Sequence, residues 1–277
     1  MFSSYTTFYF TELKSGFFEA CASAKRLGLS YVELLDFIPR GGKALFEKYD
    51  VEEMKEALAA HDLSLSCYSL GANLYTDDEQ ALLRDVKRHV RLAHALGSPY
   101  FHHTLTLGIN ATPDTLPYNE VLARVTPLAE RIAGEVNDLG MTCLYEPQGY
   151  YFNGISGLER LLYTMRGEGY DVGICADTGN PLFVDCAPKD VFAHFKDDIR
   201  HVHIKDYVIN GCKTENLTAS GDYLDDCRLG RGIAGVDACL DILTSSGYSG
   251  NASLEVAGDE ADVISDIKCA KKMLGIC

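Results

Sequence analysis

Four side chains, each at or near the end of a short hydrophobic run, have the types and placement to do chemistry together. Glu146 closes "TCLYE", Asp177 closes "GICAD", His203 lies within "IRHVHIKD" and Glu255 closes "ASLE". Three carboxylates brought close together would repel one another, and removal from water would push their pKa values up, so such a cluster is unfavourable without a cation. A divalent ion resolves the conflict and still leaves one negative charge to act as a base. Three oxygen donors and one imidazole suit Mn²⁺, Mg²⁺ or Co²⁺ as well as Zn²⁺, and the lack of a thiolate speaks against a closed structural zinc site. The expectation is one divalent metal ion held by Glu146, Asp177, His203 and Glu255.

The elements that must position these residues follow from periodicity. In an extended chain side chains alternate faces, so "IRHVHIKDYV" puts His201, His203 and Lys205 on one side and Val202, Ile204 and Asp206 on the other. By the same alternation Glu146 shares a face with Leu144 and Thr142, Asp177 with Cys175 and Gly173, and Glu255 with Ser253. These small and medium residues suit the packed inside of a barrel. Six segments share one pattern, a helical stretch ending at Gly or Asp followed within a few residues by a short hydrophobic run: "RLGLSYVELL", "AHDLSLSCYSL", "ALGSPYFHHTL", "DLGMTCLYEP", "GEGYDVGICADTG" and "SGYSGNASLEV". Between them "DVEEMKEALAAH", "DDEQALLRDVKRHVRLAHAL" and "YNEVLARVTPLAERIAGEVNDL" return apolar residues every three or four positions, and Asp50, Asp77 and Asp237 stand where helix N-caps are expected. With "FSSYT" as a first strand and "IRHVHIKD" as the seventh, eight strands alternate with helices or long loops, which predicts a single-domain (β/α)8 TIM barrel spanning residues 1–277. An open doubly wound sheet would offer a glycine-rich phosphate loop after its first strand, and "SSYTTFYFTELKSG" has none. In a barrel, chemistry sits at the carboxyl-terminal ends of the strands, where the acids fall.

Composition narrows the function. Of 277 residues 47% are hydrophobic and 23% charged, the signature of a globular chain with a sizeable core. A formal net charge of −15 repels a phosphate backbone, so no nucleic-acid partner is expected. No apolar run approaches the roughly 18 residues a membrane span needs, and "MFSSYTTFYF" has no signal-peptide pattern, so a cytoplasmic location is expected. Ten scattered cysteines without a C-x-x-C pair read as reduced, mostly buried thiols.

At these residues the chain resembles the sugar phosphate isomerase/epimerase families of the xylose isomerase-like TIM barrel superfamily, which includes ketose 3-epimerases and inosose-processing enzymes. The resemblance runs along nearly the whole chain, through "GLSYVELL", "CADTGNPLF", "HVHIKDY", "LGRGIAGVDACLDIL" and "GYSGNASLE". It implies metal ligands at Glu146, Asp177, His203 and Glu255, an acid/base pair at Glu146 and Glu255, and isomerisation or epimerisation of a small carbohydrate by proton transfer through an enediolate. Departures are Asn180, where several epimerases carry a histidine, Arg231, where many relatives carry an acid, and the individual run "YEPQGYYF". Asn180, Lys205, Arg231 and His103 are the expected substrate contacts, with Lys205 either holding a substrate oxygen or phosphate or balancing the acids, and Arg231 either closing over the substrate or solvated. Of His102 and His103 only one can face inward. Glu33 falls on an inward phase, where it should pair with a basic neighbour. Three other functions share the fold: a metal-dependent lyase or dehydratase, a noncatalytic carbohydrate-binding or partner subunit, and a zinc endonuclease, which needs more histidines and a basic groove. Exposed barrel helices further suggest pairing into a homo-oligomer.

Overall fold

The computed structural model describes residues 2–5, 16–37, 43–107, 116–214, 216–255 and 260–274. In chain order the strands are β1 (Phe2–Tyr5), β2 (Tyr31–Phe37), β3 (Ser64–Gly71), β4 (Tyr100–His103), β5 (Thr142–Tyr145), β6 (Val172–Asp177), β7 (Ile199–Ile204), β8 (Asp206–Asn210), β9 (Tyr223–Cys227) and β10 (Ala252–Leu254). All but β8 and β9 join one eight-stranded sheet in the order β1-β10-β7-β6-β5-β4-β3-β2, every pairing parallel. Its two ends, β1 and β2, lie beside each other, which rolls the sheet into a barrel. Thr6, expected to end the first strand, lies outside the described residues.

The helices are α1 (Phe17–Arg26), α2 (Leu45–Lys48), α3 (Val51–Ala60), α4 (Glu79–Ala95), α5 (Tyr118–Asn137), α6 (Ile155–Gly167), α7 (Pro188–Phe195), α8 (Val236–Ser245) and α9 (Glu260–Met273), with a 3₁₀ turn over Asn180–Val184. They cover the outer face of the sheet with apolar stripes. In α4 the buried residues Leu82, Val86, His89, Val90 and Ala93 recur at helical spacing and face the strands. Inside the barrel Cys67, Leu144 and Cys175 form a small separate cluster, as alternation on β5 and β6 predicts. None of the helices among the described residues is long and apolar enough to cross a membrane.

The six junctions have one backbone cause. Gly28, Asp62, Gly97, Gly140, Gly169 and Gly247 all take positive φ, between 50° and 90°, the left-handed conformation that ends a helix and turns the chain back to the sheet. Asp50 caps α3 as expected, its carboxylate accepting from the N–H groups of Glu52 and Glu53. Two expected caps are corrected. Asp78, not Asp77, caps α4 by accepting from Ala81 N, leaving Asp77 to pair with Arg124, and Gly235 precedes α8, so Asp237 sits inside its first turn.

The strand read through Asp206 breaks at Lys205, and Asp206 opens an antiparallel hairpin, β8 with β9, inserted before α8. The buried Asp206 carboxylate accepts from the backbone N–H groups of Gly230 (3.0 Å), Gly232 (2.9 Å) and Ala234 (3.1 Å), and so shapes the "LGRGIAG" loop. A Cβ on Gly232 would sit 2.1 Å from Asp206 Oδ1, so only glycine fits there.

Candidate metal centre

Register brings the strand ends to one height. Asp177 of β6 lies opposite His203 of β7, and His203 lies opposite Ser253 of β10, two residues before Glu255. One donor atom each from Glu146, Asp177, His203 and Glu255 lies within 4.8 Å of the others. His203 Nδ1 is 3.0 Å from Glu146 Oε1 and 3.9 Å from both Asp177 Oδ2 and Glu255 Oε2. Asp177 and His203 are sealed from solvent and Glu146 nearly so, while the Glu255 side chain keeps 23% of its surface exposed and marks the open side.

The surrounding contacts fix these groups. Asn180 Nδ2 donates to Glu146 Oε1 at 2.9 Å, and Asp177 Oδ1 accepts from the N–H groups of Gly179 and Asn180, each at 2.7 Å. Lys205, buried, places Nζ 2.9 Å from Asp177 Oδ2 and in contact with Glu255 Oε2. Thr178 Oγ1 donates to Lys205 O and accepts from Lys205 N, which ties the sixth strand end to the seventh.

Two expected contacts are not brought together with the centre. His103 lies on the outer face of β4, edge-on to Tyr145 (5.3 Å) with Nδ1 near Thr104 O (3.0 Å), because alternation turns His102 inward instead. His102 Nε2 is 3.3 Å from Glu146 Oε2, and its ring meets His203 edge-on at 5.3 Å. Arg231 stays exposed on the loop that Asp206 organises. Glu33 does find basic partners, reaching His203 Nε2 at 2.9 Å and His201 Nε2 at 2.8 Å, and it accepts from Ser69 Oγ. Ser69 carried no chemical signal in the sequence, since serine on an inward strand phase is ordinary small-residue packing.

Burial pushes the Glu146 and Asp177 carboxyls upward, and the neighbours decide the outcome. Against that burial, His203 and His102 hold Glu146 well below the usual carboxylate range. Asp177 is raised to about 7 by burial, with Lys205 opposing and Glu146 and Glu255 reinforcing the rise. Burial works against the charge on Lys205, but Asp177 and Glu255 keep it well above its ordinary value. His203 is likewise raised despite burial, by Cys175 and the Glu33, Glu255 and Glu146 carboxylates.

The donor set fits a divalent cation. Metal–oxygen and metal–nitrogen bonds of about 2.0–2.2 Å put adjacent ligand atoms roughly 3–3.5 Å apart, and the spacing around His203 Nδ1 brackets that range. Asp177 Oδ2 is buried, with an ion pair to Lys205 but no hydrogen bond, and so keeps acceptor capacity 3.9 Å from His203 Nδ1. The three carboxylates opposed by Lys205 retain two formal negative charges, the charge of one dication.

The model of the family described as "Xylose isomerase-like TIM barrel" matches residues 21–273. This chain belongs to that family. Among curated proteins none is similar to it in sequence. Solved structures of the same fold include the IOLI protein "with a binding zinc atom" (15% identity, TM-score 0.76, covering 99% of this chain and 98% of that one). An L-ribulose 3-epimerase is equally alike at TM-score 0.76 (14% identity, 99% and 95% covered). The probable 3-DHS dehydratase AsbF of petrobactin synthesis, from Bacillus anthracis, follows at 0.75 (18% identity, 98% and 99% covered). At these identities the likeness is one of fold. Solved structures of this fold thus include an epimerase and a probable dehydratase.

Proposed function

We propose that this family member is a divalent-metal-dependent isomerase or epimerase of a small 2-hydroxy carbonyl carbohydrate, a ketose, its phosphate or an inosose, working by proton transfer through a cis-enediolate. The observation that carries the reading is the convergence of Glu146, Asp177, His203 and Glu255 to within 4.8 Å at one end of the barrel. Those four residues would hold the ion. When bound, a Mn, Mg, Co or Zn dication supplies Lewis acidity that polarises a carbonyl and stabilises enediolate charge.

The chain's own groups do the rest. Glu146 is steered by Asn180, His203 and His102, so its carboxylate points into the centre rather than to water. It takes the proton from the carbon beside the carbonyl, and Glu255, the more exposed acid, returns one from the open side. Return to the opposite face of the planar intermediate gives an epimer, and return to the neighbouring carbon gives an aldose/ketose pair. Lys205, already beside both Asp177 and Glu255, is placed to hold a substrate oxygen. Burial of the other acids keeps bulk water from the proton in transit.

A second reading, elimination of a β-hydroxyl after the same proton abstraction, is favoured by the dehydratase among the structures of this fold. Incubating the metal-loaded protein with ketoses and inososes in D₂O tests both. Isomerisation or epimerisation puts deuterium into sugar of unchanged carbon and oxygen content, whereas elimination loses water. If no member of the panel exchanges hydrogen or loses water, both readings fail.

A further inference from the structure

The segments that follow β4, β5 and β6 enclose an open cavity of about 890 Å³ at the same end of the barrel as the four clustered side chains, and none of those four lines it. Its walls are Leu116 and Tyr118 around the start of α5, Tyr150 and Tyr151 in the loop before α6, Arg160 on α6 and Val184 at the end of the 3₁₀ turn. The Tyr118 hydroxyl donates to Gly157 O at 2.8 Å and the Tyr151 hydroxyl to Leu116 O at 2.9 Å, which fixes both rings. Tyr150 meets Tyr151 edge-on at 5.1 Å, and its hydroxyl has no partner among the described residues.

Placing Tyr150 on this wall costs energy. It takes φ 60° directly after Gly149 at φ 78°, a left-handed backbone that a bulky side chain rarely adopts. Thr106 holds the turn: its Oγ1 donates to Gly149 O at 2.7 Å, and a Cβ on Gly149 would collide with the same oxygen. Strain that the surroundings enforce in this way clusters where ligands are clamped.

Size and lining select the occupant. Ligand cavities of this volume are mostly aromatic and apolar with a few placed polar groups. A sugar ring carries a hydroxyl on nearly every carbon, and each one buried without a partner weakens binding. The uncommitted polar groups on this wall are few, namely Arg160, Ser156 and the Tyr150 hydroxyl. A planar aromatic ring instead matches the tyrosines by offset-stacked or edge-to-face contact. Charge is equally selective. In a chain of net charge −15, no carboxylate lines the cavity among the described residues, and Arg160 pairs with no acid there, its Nη1 donating to Asn119 Oδ1 at 2.7 Å. A guanidinium without an acid is a fork-shaped receptor for a carboxylate. Arg160 Cζ lies 5.8 Å from the centre of the Tyr118 ring, so a carboxylate held there keeps an attached ring against the tyrosines.

We propose that this cavity is a second binding site, for an aromatic carboxylate, in which Arg160 receives the carboxylate and Tyr118, Tyr150 and Tyr151 pack around the ring. It uses no metal and stands apart from the proposed function.

Titration of the metal-free protein, kept in EDTA, with 4-hydroxybenzoate tests it, read from the ¹H–¹³C signals of ¹³C-labelled tyrosine rings. Saturable shifts confined to Tyr118, Tyr150 and Tyr151 of the 16 tyrosines are expected, and no saturable shift at these three overturns the proposal. Neutral 4-hydroxybenzyl alcohol should bind about 10- to 100-fold more weakly, and equal binding removes the role of the carboxylate. Cyclohexanecarboxylate, which keeps the charge but not the planar ring, should bind about 3- to 10-fold more weakly, and equal binding removes the aromatic selection. Cellobiose that saturates the same signals more tightly than 4-hydroxybenzoate also overturns it. Arg160 is exposed and Tyr150 half-buried, so variants at both should fold. Arg160→Gln should raise the dissociation constant of 4-hydroxybenzoate about 10- to 100-fold and Tyr150→Ala about 3- to 10-fold, whereas unchanged binding in both contradicts the assignment. If either variant fails to fold, the comparison of the three acids and alcohols on the natural protein still decides. A protein that binds no metal would sink the proposed function and leave these results untouched.

Discussion

At the scale of single residues, the difference between His102 and His103 shows what alternation can and cannot tell. Period two guarantees that one of them faces the interior, but which one depends on the register of β4 against β3 and β5, where Ser69 pairs with His102 and Leu70 with His103. The four clustered side chains were legible because each lies at or near the end of a hydrophobic run, and a shared strand end implies a shared height. The links behind them were not, since Ser69 and His201 carry no pattern that separates them from packing. Replacing Glu146 or Glu255 with Gln should lower solvent hydrogen exchange by about 10²- to 10⁴-fold, read by deuterium incorporation. Asn180→Ala should cost about ten- to a hundredfold in kcat through misdirection of Glu146, since a hydrogen bond to a charged group is worth about 1.5–3 kcal/mol. His103 predicts a different outcome. Burial holds its pKa at about 4, Thr104 O opposing and His102 adding to the fall. The folded protein thus refuses a proton that the unfolded chain accepts below about 6.5, so stability present above that pH is lost as pH falls toward 4. His103→Asn should flatten that window by about 3 kcal/mol in denaturant titrations, with hydrogen exchange at pH 8 little changed.

At the scale of elements, "HVHIKD" does two jobs on its two faces. His201, His203 and Lys205 line the interior, while Asp206, at the end of the apolar face, gathers three backbone N–H groups of the loop before α8. That second job explains a charge on a face otherwise built of Val202 and Ile204. The β8–β9 hairpin was not legible, because "YLDDC" alternates poorly and the polar stretch before it reads as loop. Asp206→Ala leaves three buried or half-buried donors without their acceptor and should destabilise the protein by about 2–4 kcal/mol in urea unfolding. Gly232→Ala should do comparable damage by contact with the same carboxylate.

At the scale of the whole molecule, the barrel was legible because the six helix-to-strand junctions repeat one chemical device, a left-handed residue followed by a β-rich run. Closure depends on long-range pairing of β1 with β10, which no local pattern encodes. The net charge of −15 accords with the proposed capture of a cation rather than a polyanion. A ligand bound only by the folded state adds stability by mass action, about 2.7 kcal/mol at a hundredfold excess over its dissociation constant. Saturating Mn²⁺ or Zn²⁺ should therefore raise Tm by several degrees, a chelator should reverse the rise, and Asp177→Asn should remove most of it.

The most direct measurement is an anomalous difference map from crystals of the protein soaked in Mn²⁺. A dominant peak within coordination distance of Glu146, Asp177, His203 and Glu255 is expected. No peak there, with manganese found only on the acidic surface, would contradict it.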